Sequence, residues 1–471
     1  MFAKPPFLQL SSHRYLTRFV VSPPMGILYK RKYKQTTAPA RSLCYHEQIL
    51  IEQYSPSVMT DTQRTEAQNF AGYNPIYPLW IHKSAVWVLL VADVIFTSRL
   101  NRIIDNPNSQ PALLGIFLLS FLIYTGVILI NGRALIALGA FAAAVLIVFQ
   151  VMLFSNVTGM PSPITTALQF FPVLSFTVFF SLANSELRQY TCRTYYYISQ
   201  LYVFIYLLAS ICYIFNILPT NILRSLVLTD VERGERLFFY PAAMALCWFF
   251  SLSSVRRNIS ATSITLLAIN GIANVLTLSR VYLLCLLAIS LVYIATSERR
   301  IIRFLSLSAL FLTSAVLVYG IIDTRWNPFE LFSGDSSGGA RALEYRTAQH
   351  FLRLYPIAGI GIEPSSYEVG FLTGNYYFAA GDLGAVGVWW NFGLCGLLLF
   401  LVASIISCQP IRNLDTKFQW PFFLTGCLIA AYGSIAPVIF AAGGSTFFAL
   451  IFGMWLSGKE LERQRSRPPH N

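Results

Sequence analysis

Charge is scarce in this sequence. Of 471 residues only 12% are Asp, Glu, Lys or Arg, against 55% that are hydrophobic, and the mean hydropathy is +0.57. So little charge cannot dress the surface of a water-soluble protein of this length, which excludes the soluble globular class. Histidine is thin as well: His13, His46, His82, His350 and His470 are scattered, so no imidazole cluster exists to hold a metal. A metal-independent mechanism without cofactors is expected. The cysteines form no CxxC motif. Cys192, Cys212, Cys247, Cys285, Cys395, Cys408 and Cys427 fall in apolar segments or in loops expected inside, so neither disulfides nor structural zinc is expected. The net charge of +13 would suggest nucleic acid in a soluble protein. Here the basic residues sit mostly in short loops between apolar runs, where they act as topology determinants, and no nucleic-acid partner is expected.

Apolar runs of bilayer length are what the sequence has in abundance. A hydrocarbon core of about 30 Å needs about 20 apolar residues per helix. Runs near 84–98, 112–130, 134–154, 164–183, 195–216, 237–254, 259–278, 281–296, 304–322, 385–407, 420–438 and 442–457 predict an all-α fold, a polytopic integral membrane bundle of about 12 transmembrane helices. Basic residues collect at Arg188 with Arg193, Arg256 with Arg257, Arg299 to Arg303, Arg412 with Lys417, and in the tail from Lys459. Those alternate loops are predicted cytoplasmic, with both termini inside and segments 155–163, 217–236 and 323–384 outside. Arg99 and Arg102 run against this rule, because they fall on the outer side. Residues 1–80 are polar and basic at Lys30, Arg31, Lys32 and Lys34, show no cleavable signal peptide, and are expected to be a disordered cytoplasmic tail, with Met25 and Met59 as alternative starts. The membrane domain is expected over 81–458 and a second cytoplasmic tail over 459–471.

The segment 323–384 is longer than a connector needs, and long loops are often functional. Within it, Leu343, Ala348, Phe351, Leu352 and Tyr355 share one helical face, which predicts an amphipathic helix from Arg341 to Tyr355 lying on the membrane. Gly338 and Gly339 before it, and Pro356, Gly359 and Gly361 after it, read as its stop signals.

The expected outer side holds Arg224, Arg233, Arg236, Arg280, Arg325, Arg341, Arg346 and Arg353 but no lysine. A guanidinium can grip phosphate oxygens bidentately, which suits a diphosphate-bearing lipid whose leaving group gains negative charge. The plainer reading is that several of these pair with Asp230, Glu232, Glu235 or Glu344. Arg280 follows Ser279 at a predicted membrane boundary, where an arginine either snorkels or meets an anion. Asn270 and Asn274 precede it and either line the same cavity or bond across helices. For a general base the outer acids are Asp323, Glu330, Asp335, Glu344, Glu363, Glu368 and Asp382. Asp382 is preferred, because it stands immediately before a span; the alternative is that it caps that helix. His350 is a second candidate base, with a solvent-facing position as the alternative. Asp93 inside the first span would mark a proton pathway, or else simply lies near a helix end.

The segment SGGARALEYRTAQHFLRLYPIAGIGIEPSSYE followed by GDLGAVGVWWNFGLCGLLLF resembles the signature region of the O-antigen ligase and polymerase superfamily. The resemblance rests on Arg341, Tyr345, the turn Pro356-Ile357-Ala358-Gly359-Ile360-Gly361, Asp382, and Gly393-Leu394-Cys395-Gly396. Ser279-Arg280 is similar to the Ser-Arg opening an earlier span in that family, and Arg233, ahead of Phe238-Phe239-Tyr240-Pro241, to another family arginine. The match covers about residues 220–405. It implies an undecaprenyl-diphosphate-linked glycan as donor, with Arg233, Arg280 and Arg341 binding the diphosphate and Asp382 on the base side; Arg346, from the outer arginine set, is a further candidate for the diphosphate. Ligases of the family commonly carry histidine where Asp382 stands, which tilts the expectation toward a polymerase, while the paired arginine-to-glycine motifs of some polymerases do not fit here. The expectation is therefore a polymerase of lipid-linked repeat units in the bacterial inner membrane, active face periplasmic, with membrane lipids, a chain-length regulator and a flippase as partners. The alternatives are a ligase moving finished glycan to lipid A core or protein, and a polysaccharide flippase.

Overall fold

A computed structural model describes residues 79–104, 109–180, 185–217, 226–230, 234–295, 308, 336–364, 366–374, 378–411, 414–436 and 438–465. All of them fall in one compact unit, Tyr73–Asn471. Apart from Leu79 and Trp80, the tail expected over 1–80 lies outside the described residues, as does nearly all of the span expected over 304–322.

The fold is all-α, its one sheet among the described residues being a two-stranded antiparallel ribbon of β1 (Val227–Asp230) and β2 (Gly234–Leu237). The helices are α1 (Leu79–Thr97), α2 (Ser109–Ile130), α3 (Ala134–Thr158), α4 (Ser185–Ile214), α5 (Pro241–Arg257), α6 (Ala261–Val275), α7 (Arg280–Ala295), α8 (Ser336–Leu354), α9 (Ser366–Thr373), α10 (Ala385–Ser407), α11 (Thr416–Gly433) and α12 (Ser445–Arg465). Among the described residues five are long and apolar enough to cross a membrane, namely α1, α2, α3, α4 and α10, rather than about twelve. The shortfall has local causes. The expected span 164–183 is broken into a 3-10 turn, Ile164–Phe170, and two short helices, Phe171–Leu174 and Phe176–Phe180. Helices α5, α6 and α7 have 17, 15 and 16 residues. Helix α12 leaves its apolar run for Lys459, Glu460 and Glu462, and Lys459 pairs with Glu462 at 3.5 Å.

Helix α5 is the centre of the bundle. Ala242, Ala243, Met244, Ala245, Leu246 and Cys247 are all without exposed surface, because the helix packs against α4, α6 and α11 on different sides. A helix buried all round needs small side chains where neighbours approach, which this Ala-rich stretch supplies. The peripheral helices instead turn aliphatic side chains outward: Leu135, Leu138, Phe141, Val145, Phe149 and Met152 on α3 are all at least half exposed. Their spacing of three or four residues traces one continuous stripe, and an apolar surface of this kind suits hydrocarbon, not water.

Helix α8 differs from its expected form in two ways. It starts at Ser336, so Gly338 and Gly339 lie inside it and do not stop it. Its buried face is Ala342, Tyr345, Ala348 and Leu352, while Leu343 and Tyr355 are exposed. The face is rotated because α8 packs against α10.

The turn after α8 locks into α10. At Gly393 the backbone of α10 leaves the helical region, at φ 64° and ψ −160°, and the freed groups are taken up by the turn. Ile360 and Gly361 donate N–H bonds to the Trp390 carbonyl at 2.8 and 3.3 Å, and Leu394 donates to the Ile357 carbonyl at 3.1 Å. Trp389 Nε1 adds a bond to the Pro356 carbonyl at 2.8 Å, and Ile362 N–H one to Gln150 O of α3 at 3.0 Å. Both contact points require glycine. A Cβ at Gly393 would overlap the Ile357 carbonyl, and one at Gly359, where φ is +74°, would sit 2.5 Å from the Trp390 carbonyl.

Gly393→Ala and Gly359→Ala are each expected to cost about 2–4 kcal/mol, since both add an unfavourable φ to an overlap with backbone. Gly139→Ala in α3, where a Cβ meets nothing within 4 Å, is expected to be neutral or stabilising by about 1 kcal/mol. Thermal unfolding in detergent micelles measures the difference.

Candidate active site

The chain enters α10 through a 3-10 turn, Ala380–Asp382. Within it Asp382 N–H donates to Ala379 O at 2.9 Å and Leu383 N–H to Ala380 O at 3.1 Å. As at the start of any helical turn, the first N–H groups lack partners inside it. They find them on two distant carboxyls: Ala379 N–H donates to Glu344 Oε1 at 3.1 Å and Ala380 N–H to Glu363 Oε1 at 2.8 Å. Glu344 comes from α8 and is 2% exposed; Glu363 follows the interlocking turn. The second oxygen of each, Oε2, is buried and has no hydrogen-bond partner among the described residues.

Three carboxyls thus gather at the head of α10. Burial pushes Glu344 up to about 8, and the neighbouring Asp382 charge adds to the rise while the Ala379 N–H and Arg341 oppose it. Burial likewise pushes Glu363 up to about 8, opposed by the Ala380 N–H and reinforced by Asp382. Asp382 is raised by burial and pulled down by Arg341 and Arg99. It does not cap α10, whose N-cap is Gly384 without a side-chain bond, so the carboxyl remains available for chemistry.

Arg341 is half-buried on α8, one turn before Glu344. Arg99 is the residue that sequence reasoning missed. It follows α1 in a left-handed conformation, φ 60°, with its guanidinium 3.3 Å from the centroid of the Phe238 ring. Its only sequence signal is its conflict with the charge rule for loops.

Arg280 opens α7 and is exposed. Its neighbour Ser279 bonds the hydroxyl of Tyr432, which also lies in the field of Arg341 and Arg236. Ser279 and Arg341 therefore face one tyrosine. Arg236 on β2 donates to Thr277 O at 3.0 Å, close to the same place. Asn270 and Asn274 resolve to the cross-helix alternative: Asn270 Nδ2 donates to Ser251 Oγ of α5 at 2.6 Å, and Tyr282 of α7 donates to Asn274 Oδ1 at 2.7 Å.

Other expected residues are not brought in. Arg346 is exposed, five positions beyond Arg341 and so about 140° round the helix. His350 is exposed on the far side of α8 from Arg341, its ring edge-on to Phe351 at 5.6 Å. Arg233, Asp323, Glu330 and Asp335 lie outside the described residues. Asp93 is a satisfied core group: Tyr240 donates to its carboxylate, as does Thr97 at 3.3 Å, and Tyr195 shares a 2.6 Å bond with the Tyr240 hydroxyl. Among the described residues no group of three or more His, Cys, Asp or Glu is arranged to hold a metal ion.

Compared with protein-family models, with curated proteins and with solved structures, the chain matches none.

A carboxyl whose proton is held more tightly in the folded state than in the unfolded one stabilises the fold below its unfolded value and loses that contribution as pH rises through the interval between the two. For Glu344 and Glu363 the interval runs from 4.5 to about 8. The melting temperature is expected to fall as pH rises across that range and to level off above it. Glu344→Gln and Glu363→Gln are each expected to flatten the slope, measured by thermal unfolding in detergent over a pH series.

Proposed function

We propose that this chain is a multi-pass membrane glycosyltransferase that polymerises lipid-linked saccharide repeat units, taking a polyprenyl-diphosphate-linked glycan as donor on the outer face of a bacterial inner membrane. The observation that carries this reading is the meeting of Asp382 with Arg341 and Arg99 at the head of an apolar helix, with the Ser279-Arg280 segment drawn to the same place through Tyr432. Guanidinium groups beside a carboxylate at the end of a lipid-length helix suit a substrate with a charged head and an apolar tail.

In the proposed reaction a hydroxyl of the acceptor glycan attacks the anomeric carbon of the donor. The bond from that carbon to the diphosphate oxygen breaks and a new glycosidic bond forms. Asp382 takes the hydroxyl proton, its basicity raised by burial. Arg341 and Arg280 neutralise the departing diphosphate as its negative charge develops. The same resemblance gives Arg233 to the diphosphate; Arg346, a further candidate among the outer arginines, lies about 140° round α8 from Arg341 and is the weaker member.

The polymerase reading is preferred to the ligase because aspartate stands where ligases commonly carry histidine. The flippase alternative draws no support from Asp93, whose carboxylate is engaged by Tyr240 and Thr97.

Two experiments test the reading. Cells lacking the protein are expected to accumulate lipid-linked single repeat units. Lipid-linked full-length polymer would indicate the ligase instead, and unchanged intermediates would remove glycosyl transfer altogether. Reintroduced Asp382→Ala is expected to lower polymer formation by about 10²–10⁴-fold, and Arg341→Ala to lower it comparably, with Arg346→Ala affecting it little. For orientation, His350→Cys is expected to react with a membrane-impermeant maleimide added from outside; protection in intact cells with labelling after lysis would place the site on the wrong face.

A further inference from the structure

Glu344 and Glu363 are unusual in how they spend their oxygens. Each uses one to accept a backbone N–H from consecutive residues, Ala379 and Ala380, and each leaves the other buried without a partner among the described residues. A buried carboxylate left half-satisfied is costly, and the neutral acid, carrying no net charge, costs far less to bury. The two arrive from different directions, one from α8 and one from the chain that follows the interlocking turn, and they meet at the two residues that lead into Asp382.

The charges around them are few. Glu344 is faced by Arg341 from its own helix, by Asp382 and the Ala379 N–H from the 3-10 turn, and by Glu363 from the preceding loop. Glu363 is faced by the Ala380 N–H and Asp382, and Asp382 by Arg341 and, from the end of α1, Arg99. Three carboxyls against two guanidiniums carry an excess negative charge if all are ionised. One retained proton cancels that excess, and the burial of both glutamates favours keeping a second.

We infer that Glu344 and Glu363 are positioning residues that clamp the turn carrying Asp382 and do so as protonated acids, leaving Asp382 as the ionised member of the three. This rests on the reading of Asp382 as the base. The clamp fixes where the Asp382 carboxylate points, and the two neutral acids spare it a like-charged neighbour on either side. The arrangement predicts an alkaline limit on activity: once Glu344 or Glu363 ionises, Asp382 gains the like-charged neighbour that the protonated acid had spared it, and once both ionise the three carboxylates outnumber the two arginines.

The test has one arm that needs no substrate. Infrared spectra of the purified full-length protein in lipid nanodiscs, taken as wild type minus Glu344→Gln and wild type minus Glu363→Gln over a pH series, isolate the carbonyl band of each acid. The expected result is a protonated-carboxyl band present at pH 7 that disappears with a midpoint near 8. A band lost near the ordinary glutamate value of 4.5 overturns the inference whatever the protein does.

The second arm uses polymer formation in cells. Glutamine imitates the neutral acid in shape and as an acceptor for the backbone N–H, so Glu344→Gln and Glu363→Gln are expected to restore polymer that the alanine variants lose by at least tenfold, and to move the alkaline limit upward. Glutamine variants as inactive as alanine ones would overturn the inference. If Asp382→Ala leaves polymer intact, the functional reading fails instead, and the infrared result stands by itself.

Discussion

The break in α10 at Gly393 is the constraint on which the site depends. A helix interrupted inside an apolar bundle must find other partners for the backbone groups it releases. Here the turn 356–362 provides them, with Trp390 O receiving two N–H groups and Ile357 O receiving that of Leu394. The exchange ties the end of α8 to the middle of α10, and Gln150 of α3 extends the tie to a third helix. Arg341 and Glu344 on α8 are thereby held against the head of α10, where Asp382 stands. Pro356, Gly359, Gly361, Gly393 and Leu394 are among the residues of this interlock.

A second brace works from the other side. Asp93 in α1 accepts a bond from Tyr240, the N-cap of α5, and Tyr202 accepts the Tyr240 N–H at 3.0 Å. The end of α1 is thus pinned to the start of the central helix. Arg99, a few residues beyond Asp93, lies over Phe238, two residues before Tyr240. A buried acid is tolerable where hydroxyls satisfy it, and this one is used to anchor the arginine that reaches Asp382. The site is then a balance between burial, which favours neutral carboxyls, and two guanidiniums, which favour an ionised one.

Much of the fold was legible. Apolar runs marked nearly every helix in order, and α10 falls on its expected bounds, 385–407. Reading each run as a full span failed where helix length was cut by a cap, as at Pro241 and Ser260, or where the run was divided at Ser175. Hydropathy reports apolarity without reporting whether the apolar neighbour is lipid or another helix. The same limit misplaced the buried face of α8, since its buried residues include Glu344 and Gln349, which no hydrophobic count would put inside.

At the site, the pairing of Arg341 with Asp382 was readable from motif order, because both flank a recognisable turn. His350 and Arg346 were chosen by residue type and proximity in sequence, and helical rotation carried them away. Glu344 and Glu363 were visible only as two acids among several, and Arg99 only as an exception to a charge rule. By itself, then, the sequence determined an all-helical chain rich in membrane-length apolar segments, with a glycine-marked turn ahead of Asp382, since periodicity and backbone permissiveness are local properties. Which charges act on one another was decided only by tertiary structure, because residues 99, 341, 363 and 382 come together through long-range packing, that of α8 against α10 included, and no pattern along the chain encodes that distance.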